Sequence, residues 1–241
     1  LTIFMTFSNL LIHWYLQNKR DLPWRNTNDA YTIWFSEIIL QQTKVAQGLP
    51  YFESFLINFP TVFDLAKANE EKVLKLWQGL GYYSRARNLH ATARFVVEHL
   101  DGVFPNSYNE LIKLKGVGTY TAAAVASFSK QEPVAVLDGN VYRVLSRYFN
   151  VENDISLAST QKVFQNLAQE VLPSKDSHIH NQAVMEFGAL QCVPKSPDCF
   201  NCILSSSCAG LQYKKVASLP VKTKKIKVTS RGLNYIVFED L

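Results

Sequence analysis

Cysteine is absent from the first 191 residues of this 241-residue chain, and all four cysteines fall between 192 and 208. A disulfide framework spreads its cysteines to tie distant loops together. The clustering excludes that architecture and points to one metal site, hence a reducing, intracellular compartment. Glycine (10) and proline (9) are sparse, which excludes collagen-like and low-complexity chains. No apolar run approaches the roughly 20 residues needed to span a bilayer. The apolar start, Leu1 to Ile12, lacks a basic leading stretch and a small-residue cleavage site, so no signal peptide is expected. Net charge is missing too over most of the length: residues 1–210 carry eighteen Lys/Arg against eighteen Asp/Glu. The overall +5 belongs to the tail, so whole-chain charge does not argue for nucleic acid and local clusters must.

What is present is apolar sequence at helical spacing, within a composition that is 47% hydrophobic. Leu10, Leu11, Trp14 and Tyr15 form one stripe, Val62, Leu65 and Ala66 another, Val73, Leu74 and Trp77 a third. Ser107 and Glu110 have the spacing of a capping box ahead of Leu111, Ile112 and Leu114. Period-2 alternation appears only at Asn234–Phe238, and there is no convincing internal repeat. Tyr213 to Arg231 is Lys-rich, lacks acidic residues, contains Pro220 and reads as a linker. The expected fold is an all-α globule of about 210 residues, followed by a linker and the start of something β.

The cysteines are spaced Cys192-x6-Cys199-x2-Cys202-x5-Cys208. Four thiolates so close in sequence can converge on one zinc ion or one iron–sulfur cluster. With four cysteines completing a ligand set, His178 and His180 read as ordinary surface histidines. Upstream, Lys115-Gly116-Val117-Gly118 precedes a small-residue helix, residues 121–126. Two glycines permit a tight turn and close backbone approach, and the N–H groups opening the next helix can bind a phosphate without reading sequence. A plain helical hairpin fits the same residues. Lys113, Lys115, Arg85, Arg87, Arg143 and Arg147 are candidate phosphate neighbours.

Two carboxylates stand in different surroundings. On a helix, Glu37 has Ile33, Trp34, Leu40 and Gln41 as neighbours, which places it on the buried side. Desolvation should raise its pKa and suit it to general-acid work, although burial beside Arg25 would serve structure alone. Asp138, before Gly139-Asn140-Val141, reads as a helix N-cap, whose donors should lower its pKa. A neutral Glu beside an anionic Asp is the pair that cleaving an N-glycosidic bond requires.

Five segments together resemble one family: residues 34–43 (Trp-Phe-Ser-Glu-Ile-Ile-Leu-Gln-Gln-Thr), residues 79–90 (Gly-Leu-Gly-Tyr-Tyr-Ser-Arg-Ala-Arg-Asn-Leu-His), the Gly116–Gly118 hairpin, residues 137–141 (Leu-Asp-Gly-Asn-Val) and the cysteine loop. They are similar to the MutY-type adenine DNA glycosylases of the helix-hairpin-helix superfamily over about residues 7–212. The resemblance implies two helical lobes with a DNA cleft between them, a six-helix lobe at 24–133 and a cluster lobe from 1–23 and 134–216. Residues 217–241 would be a basic linker and the beginning of a largely missing C-terminal β domain, so the chain reads as a fragment. Leu1–Phe4 before Met5 reads as an extension. The implied activity is removal of adenine mispaired with 8-oxoguanine or guanine in duplex DNA, by a monomer with a 4Fe-4S cluster on Cys192, Cys199, Cys202 and Cys208. The implied location is intracellular, at the nucleoid in a bacterium, with no membrane partner.

By the same resemblance Glu37 protonates adenine N7, Asp138 stabilises the sugar cation, Asn140 orients Asp138 and Tyr120 lines the sugar face. Arg20, Trp24, Arg25, Leu40, Val45 and Gln182 would surround the flipped base. Gln42 would fill the vacated stack and Tyr82 would wedge beside the opposite base. Lys115, Gly116, Val117 and Gly118 would hold a phosphate. Relatives of the endonuclease III type carry a Schiff-base lysine where Tyr120 stands, so no strand cleavage is expected. The alternatives are a bifunctional pyrimidine glycosylase, a thymine-mismatch glycosylase and a non-catalytic iron–sulfur protein that binds DNA.

Overall fold

The computed structural model describes residues 2–223, with side chains from Thr6 onward. The expected strand at Asn234–Phe238 and the later part of the Lys-rich stretch lie outside them. Twelve α-helices follow in order: α1 (Thr2–Asn18), α2 (Ala30–Leu40), α3 (Val45–Asn58), α4 (Val62–Lys67), α5 (Glu70–Leu76), α6 (Ser84–His99), α7 (Tyr108–Leu111), α8 (Thr119–Lys130), α9 (Gly139–Phe149), α10 (Ala158–Glu170), α11 (Ser177–Leu190) and α12 (Ala209–Gln212). There is no strand among the described residues, so the expected all-α class holds. No helix among them is long and apolar enough to cross a membrane.

Local chemistry sets several helix starts. Asp29 opens α2 by accepting from the Thr32 N–H at 2.8 Å. Thr61 and Asp64 form a reciprocal capping box at α4, a signal the sequence reading passed over. The box expected at Ser107 and Glu110 does not form: the Ser107 hydroxyl donates to the Glu110 carboxylate instead of accepting a backbone N–H, and α7 is a single turn.

The helices bury two principal hydrophobic cores. One gathers Leu22, Trp24 and the buried faces of α2–α8 around Trp34, Phe35, Phe55 and Trp77. The other joins α1 to α9–α11 around Phe7, Leu11, Phe164 and Phe187. Ala123, Ala124 and Val136 make a small third cluster where the chain passes from one to the other. α8 packs on α2 through its alanine face, and α1 and α9 both pack on α11.

The start of the expected linker is docked rather than free. Leu219 is buried and its carbonyl accepts from Arg147 Nε at 3.0 Å. The Val221 carbonyl accepts from the Ile155 N–H at 3.0 Å. An apolar residue every few positions was the signal that the lysines obscured.

Candidate active site

A cavity of about 190 Å³ opens between the two cores, and α2, α8, α9, α11 and the short 3-10 turn Pro23–Arg25 supply its walls. Arg20, Trp24, Arg25, Glu37, Leu40, Val45, Tyr120, Asp138, Asn140 and Gln182 all line it. Ten sequence-predicted residues, spread over more than 160 positions, therefore meet at one place. Gln42 and Tyr82 line an adjoining open groove, shared with Tyr120 and Asp138.

Glu37 projects from the last turns of α2 and is 6% exposed. Its Oε2 accepts from the Tyr120 hydroxyl at 2.6 Å. Burial pushes its carboxyl up to about 7, with Asp138 adding to the rise while Tyr120 and Arg25 oppose it. Arg25 lowers this pKa only as a nearby charge and is not the ion-pair partner of Glu37. Both Arg25 and Arg20 are held by Glu186.

Asp138 caps α9 as expected, accepting from the Val141 N–H at 2.7 Å and from Asn140 Nδ2 at 2.8 Å. The expected fall in its pKa is overturned. Burial raises it, against the opposing hydrogen bonds and the charge of Arg143. A helix cap stabilises an anion in water, but here the cap points into a desolvated wall. Asn140 accepts in turn from Arg143 Nη2 at 2.8 Å, so Asp138 is held from behind by an amide and a guanidinium.

Three arginines proposed as phosphate neighbours point inward. Arg143 donates to the Cys192 and Gly188 carbonyls at 2.8 and 2.7 Å. Arg147, 2% exposed, donates to the Val193 and Pro194 carbonyls at 2.7 and 3.0 Å. Arg85 donates to the Ile38, Ile39 and Gln41 carbonyls at 2.9, 3.2 and 2.7 Å. These arginines satisfy carbonyls that the ends of helices and loops leave unpaired, which a charge count along the sequence does not reveal. Arg87 stays exposed and faces Glu70 at 3.6 Å. Lys113 and Lys115 are exposed.

The hairpin forms between α7 and α8. Gly116 has φ +77°, and a Cβ there would meet Asn88 Cβ at 2.8 Å. Gly118 is the N-cap of α8 with extended backbone, and a Cβ on it would touch nothing. Lys115, Gly116 and Gly118 are exposed while Val117 is buried and anchors the turn. The Lys115 carbonyl accepts from the Thr92 hydroxyl at 2.8 Å.

Glu186 is the charged cavity residue that sequence reasoning missed. It is 1% exposed and takes five hydrogen bonds from Arg20 and Arg25, 2.6–3.0 Å long. Burial alone would raise its pKa, but these bonds outweigh that and hold it down at about 2. Its place one helical turn after Gln182 was the available signal. His180 also departs from expectation. It is buried, bonded to the Ser8 hydroxyl at 2.9 Å, and desolvation lowers its pKa to about 4.

The four cysteines line a second, apolar pocket with Val144, Phe187, Leu204 and Leu211. Arg147 Nη1 lies 3.4 Å from Cys192 Sγ. Burial pushes the Cys202 thiol up to about 11 and raises Cys199 and Cys208 as well. Among the described residues no three His, Cys, Asp or Glu side chains are set to ligate a single metal ion.

Residues 35–174 match the HhH-GPD family, described as HhH-GPD superfamily base excision DNA repair protein. The chain is 35% identical over 99% of its length to an adenine DNA glycosylase of Buchnera aphidicola subsp. Schizaphis graminum, covering 69% of that protein. It is 37% identical over 91% of its length to that of Buchnera aphidicola subsp. Acyrthosiphon pisum, covering 63%. With the adenine DNA glycosylase of Mus musculus it shares 42% identity over 95% of its length, but covers 46% of that protein. The chain thus spans roughly half to two-thirds of these relatives. A solved thermostable thymine-DNA glycosylase superposes with TM-score 0.80 at 28% identity, over 87% of this chain and 97% of that one. An endonuclease III–DNA complex, at 20% identity and TM-score 0.73, shares the fold over 88% of this chain and 97% of that one.

Proposed function

The chain belongs to the HhH-GPD superfamily of base excision DNA repair proteins, within its adenine DNA glycosylases, and from that premise we propose that it hydrolyses the N-glycosidic bond of adenine mispaired with 8-oxoguanine or guanine in duplex DNA. The observation that carries the reading is a buried Glu37, with a pKa of about 7, in the same 190 Å³ cavity as Asp138.

The chemistry follows from the two carboxyls. A neutral Glu37 donates its proton to the leaving base, which turns adenine into a stable departing group. Asp138, held by Asn140 and the Val141 N–H, supplies negative charge to the oxocarbenium-like sugar until a water adds to C1′ and releases the proton that restores Glu37. Tyr120 holds Glu37 in place and faces the sugar. Trp24, Leu40 and Val45 keep water from the flipped base. Extrusion costs a few kcal/mol, which Gln42 and Tyr82 offset from the groove by filling and wedging the stack. Tyr120 offers no amine for a Schiff base, so strands stay intact after base loss.

In this reading the lobe at 24–133 and the lobe from 1–23 and 134–216 close on a DNA duplex as one monomer. Lys115 to Gly118 grip a phosphate at the start of α8. The pocket of Cys192, Cys199, Cys202 and Cys208 would hold a 4Fe-4S cluster, which the cysteine spacing and the family favour over one zinc ion. Its donors are four thiols around an apolar space, with an arginine N–H on one sulfur. The cluster would supply cross-linking of the loop, since the reacting carboxyls lie elsewhere.

The test is single-turnover base release from duplexes carrying A:8-oxoguanine, A:G, A:C, T:G and oxidised pyrimidines. Release of free adenine from the first two, with strands intact until alkali is added, supports the reading. Release of thymine instead would favour the activity named for the 28% identical structure, and strand cleavage in step with base loss would contradict the role of Tyr120.

A further inference from the structure

Two guanidiniums and a carboxylate occupy one wall of the cavity, bound to one another. Glu186 Oε1 accepts from the Arg20 N–H, Arg20 Nε and Arg25 Nη1, and Oε2 accepts from Arg20 Nη2 and Arg25 Nη2. Five donors exceed the roughly four lone-pair positions of a carboxylate, so Glu186 has no acceptor left. Arg25 Nη1 is shared further with the Arg20 carbonyl at 3.1 Å. The side-chain hydrogen bonds of this wall therefore run chiefly within the triad.

Tyr15 stands beside this triad. It is 4% exposed, its ring lies 5.7 Å from the Arg25 guanidinium, and burial raises its pKa, so its hydroxyl keeps its proton. That proton needs an acceptor, and Glu186 is saturated. The hydroxyl donates to Gln182 Oε1 across 167 positions of sequence. Gln182 is half-buried on the cavity wall, and its Nε2 has no protein partner among the described residues. The reversed amide would put an N–H against the phenol and leave the phenol proton without a partner, a buried loss that the observed orientation avoids.

We infer that Tyr15 is a positioning residue that fixes which end of the Gln182 amide the cavity presents. With the carbonyl engaged, Gln182 offers an N–H donor, and the wall accepts a base through a ring-nitrogen acceptor on the edge it faces. Tyr15 touches no substrate. It acts through Gln182, and the inference rests on the reading of the cavity as an adenine site.

The experiment is a double-mutant cycle on the full chain, with Tyr15→Phe, Gln182→Ala and the pair, read by single-turnover adenine release at saturating A:8-oxoguanine duplex. Tyr15→Phe keeps the ring in the core and removes only the hydroxyl. Each single variant should lose about tenfold in rate, the scale of one hydrogen bond, and Tyr15→Phe should bind the duplex as the parent protein does. The pair should be no slower than Gln182→Ala alone. The alkaline fall in rate should stay where it is in the parent protein, because Glu37 is untouched.

Substrates with 1-deazaadenine or 3-deazaadenine supply a second readout. Deleting the acceptor that Gln182 reads should slow the parent protein and leave Tyr15→Phe no slower than it already is. Losses that multiply in the pair, or a Tyr15→Phe rate equal to the parent's, would overturn the inference while leaving the adenine reading intact. No adenine release by the parent protein would overturn both.

Discussion

At the residue scale the decisive fact is that Glu37 is buried without a cation of its own. Ionising it in place costs about 3 kcal/mol relative to water, taking a pKa of about 7 against the ordinary 4.5. The native state therefore binds more protons than the unfolded chain between pH 4.5 and 7. Stability from this group is present below about 4.5 and is lost as pH rises through about 7. Glu37→Gln removes the penalty. It should raise the unfolding free energy at pH 8 by up to about 3 kcal/mol, measured by denaturant titration, with little gain at pH 5. The same variant should bind mispaired duplex and release almost no adenine. Glu37 was legible from sequence because its helical neighbours were three apolar residues and one glutamine. The raised pKa of Asp138 was not, because a capping pattern tells nothing of the wall that the cap faces. His180 misled for the same reason: its partner Ser8 lies 172 positions away.

At the element scale, arginines and glycines hold the turns that carry the site. Arg85 binds three carbonyls at the end of α2 and stacks over Trp77, 5.0 Å from the ring. That end leads directly to Gln42, and Tyr82 lies three residues before Arg85. Both have positive φ, 56° and 47°, a backbone region that non-glycine residues hold only under constraint. Arg85→Ala should lower stability by about 2–3 kcal/mol and slow adenine release from duplex DNA. Thermal melts and single-turnover assays check the two effects. Sequence suggested a phosphate contact for this arginine, since a charge beside a glycine-rich turn looks exposed until the opposing carbonyls are seen.

The hairpin gives a paired contrast at the same scale. Gly116→Ala meets a left-handed backbone and Asn88, and should cost about 1–3 kcal/mol of stability. Gly118→Ala meets nothing in the free protein. It should leave the melting temperature unchanged and weaken DNA binding, because the added methyl stands where a phosphate would approach the start of α8. Fluorescence anisotropy with a labelled duplex separates the two variants. Equal destabilisation by both would mean that the hairpin glycines serve folding alone.

At the scale of the whole molecule, two cores meet along one cavity, and α1 closes the second core from the far end of the chain. Helical periodicity made the class and most elements legible; of the ten cavity residues only Glu37, Leu40, Asp138 and Asn140 lie inside the five motifs, and the rest came from the resemblance those motifs carry. The Arg20–Glu186–Arg25 triad stayed hidden because Glu186 lies more than 160 positions from both arginines and each member looks like a solvated charge. The cysteine pocket carries its own prediction: the purified protein should be yellow-brown, with iron and acid-labile sulfide, and Cys199→Ser should lose colour and solubility before any change in chemistry on bound DNA. A colourless protein with one stoichiometric zinc would contradict that assignment. The central claim, that a neutral Glu37 protonates the departing adenine, is tested most directly by the pH dependence of single-turnover adenine release from an A:8-oxoguanine duplex. The account predicts a rate that falls about tenfold per pH unit above about 7, with Glu37→Gln near background throughout. A rate that is level through pH 9, or a Glu37→Gln protein that releases adenine at close to the parent rate, would contradict it.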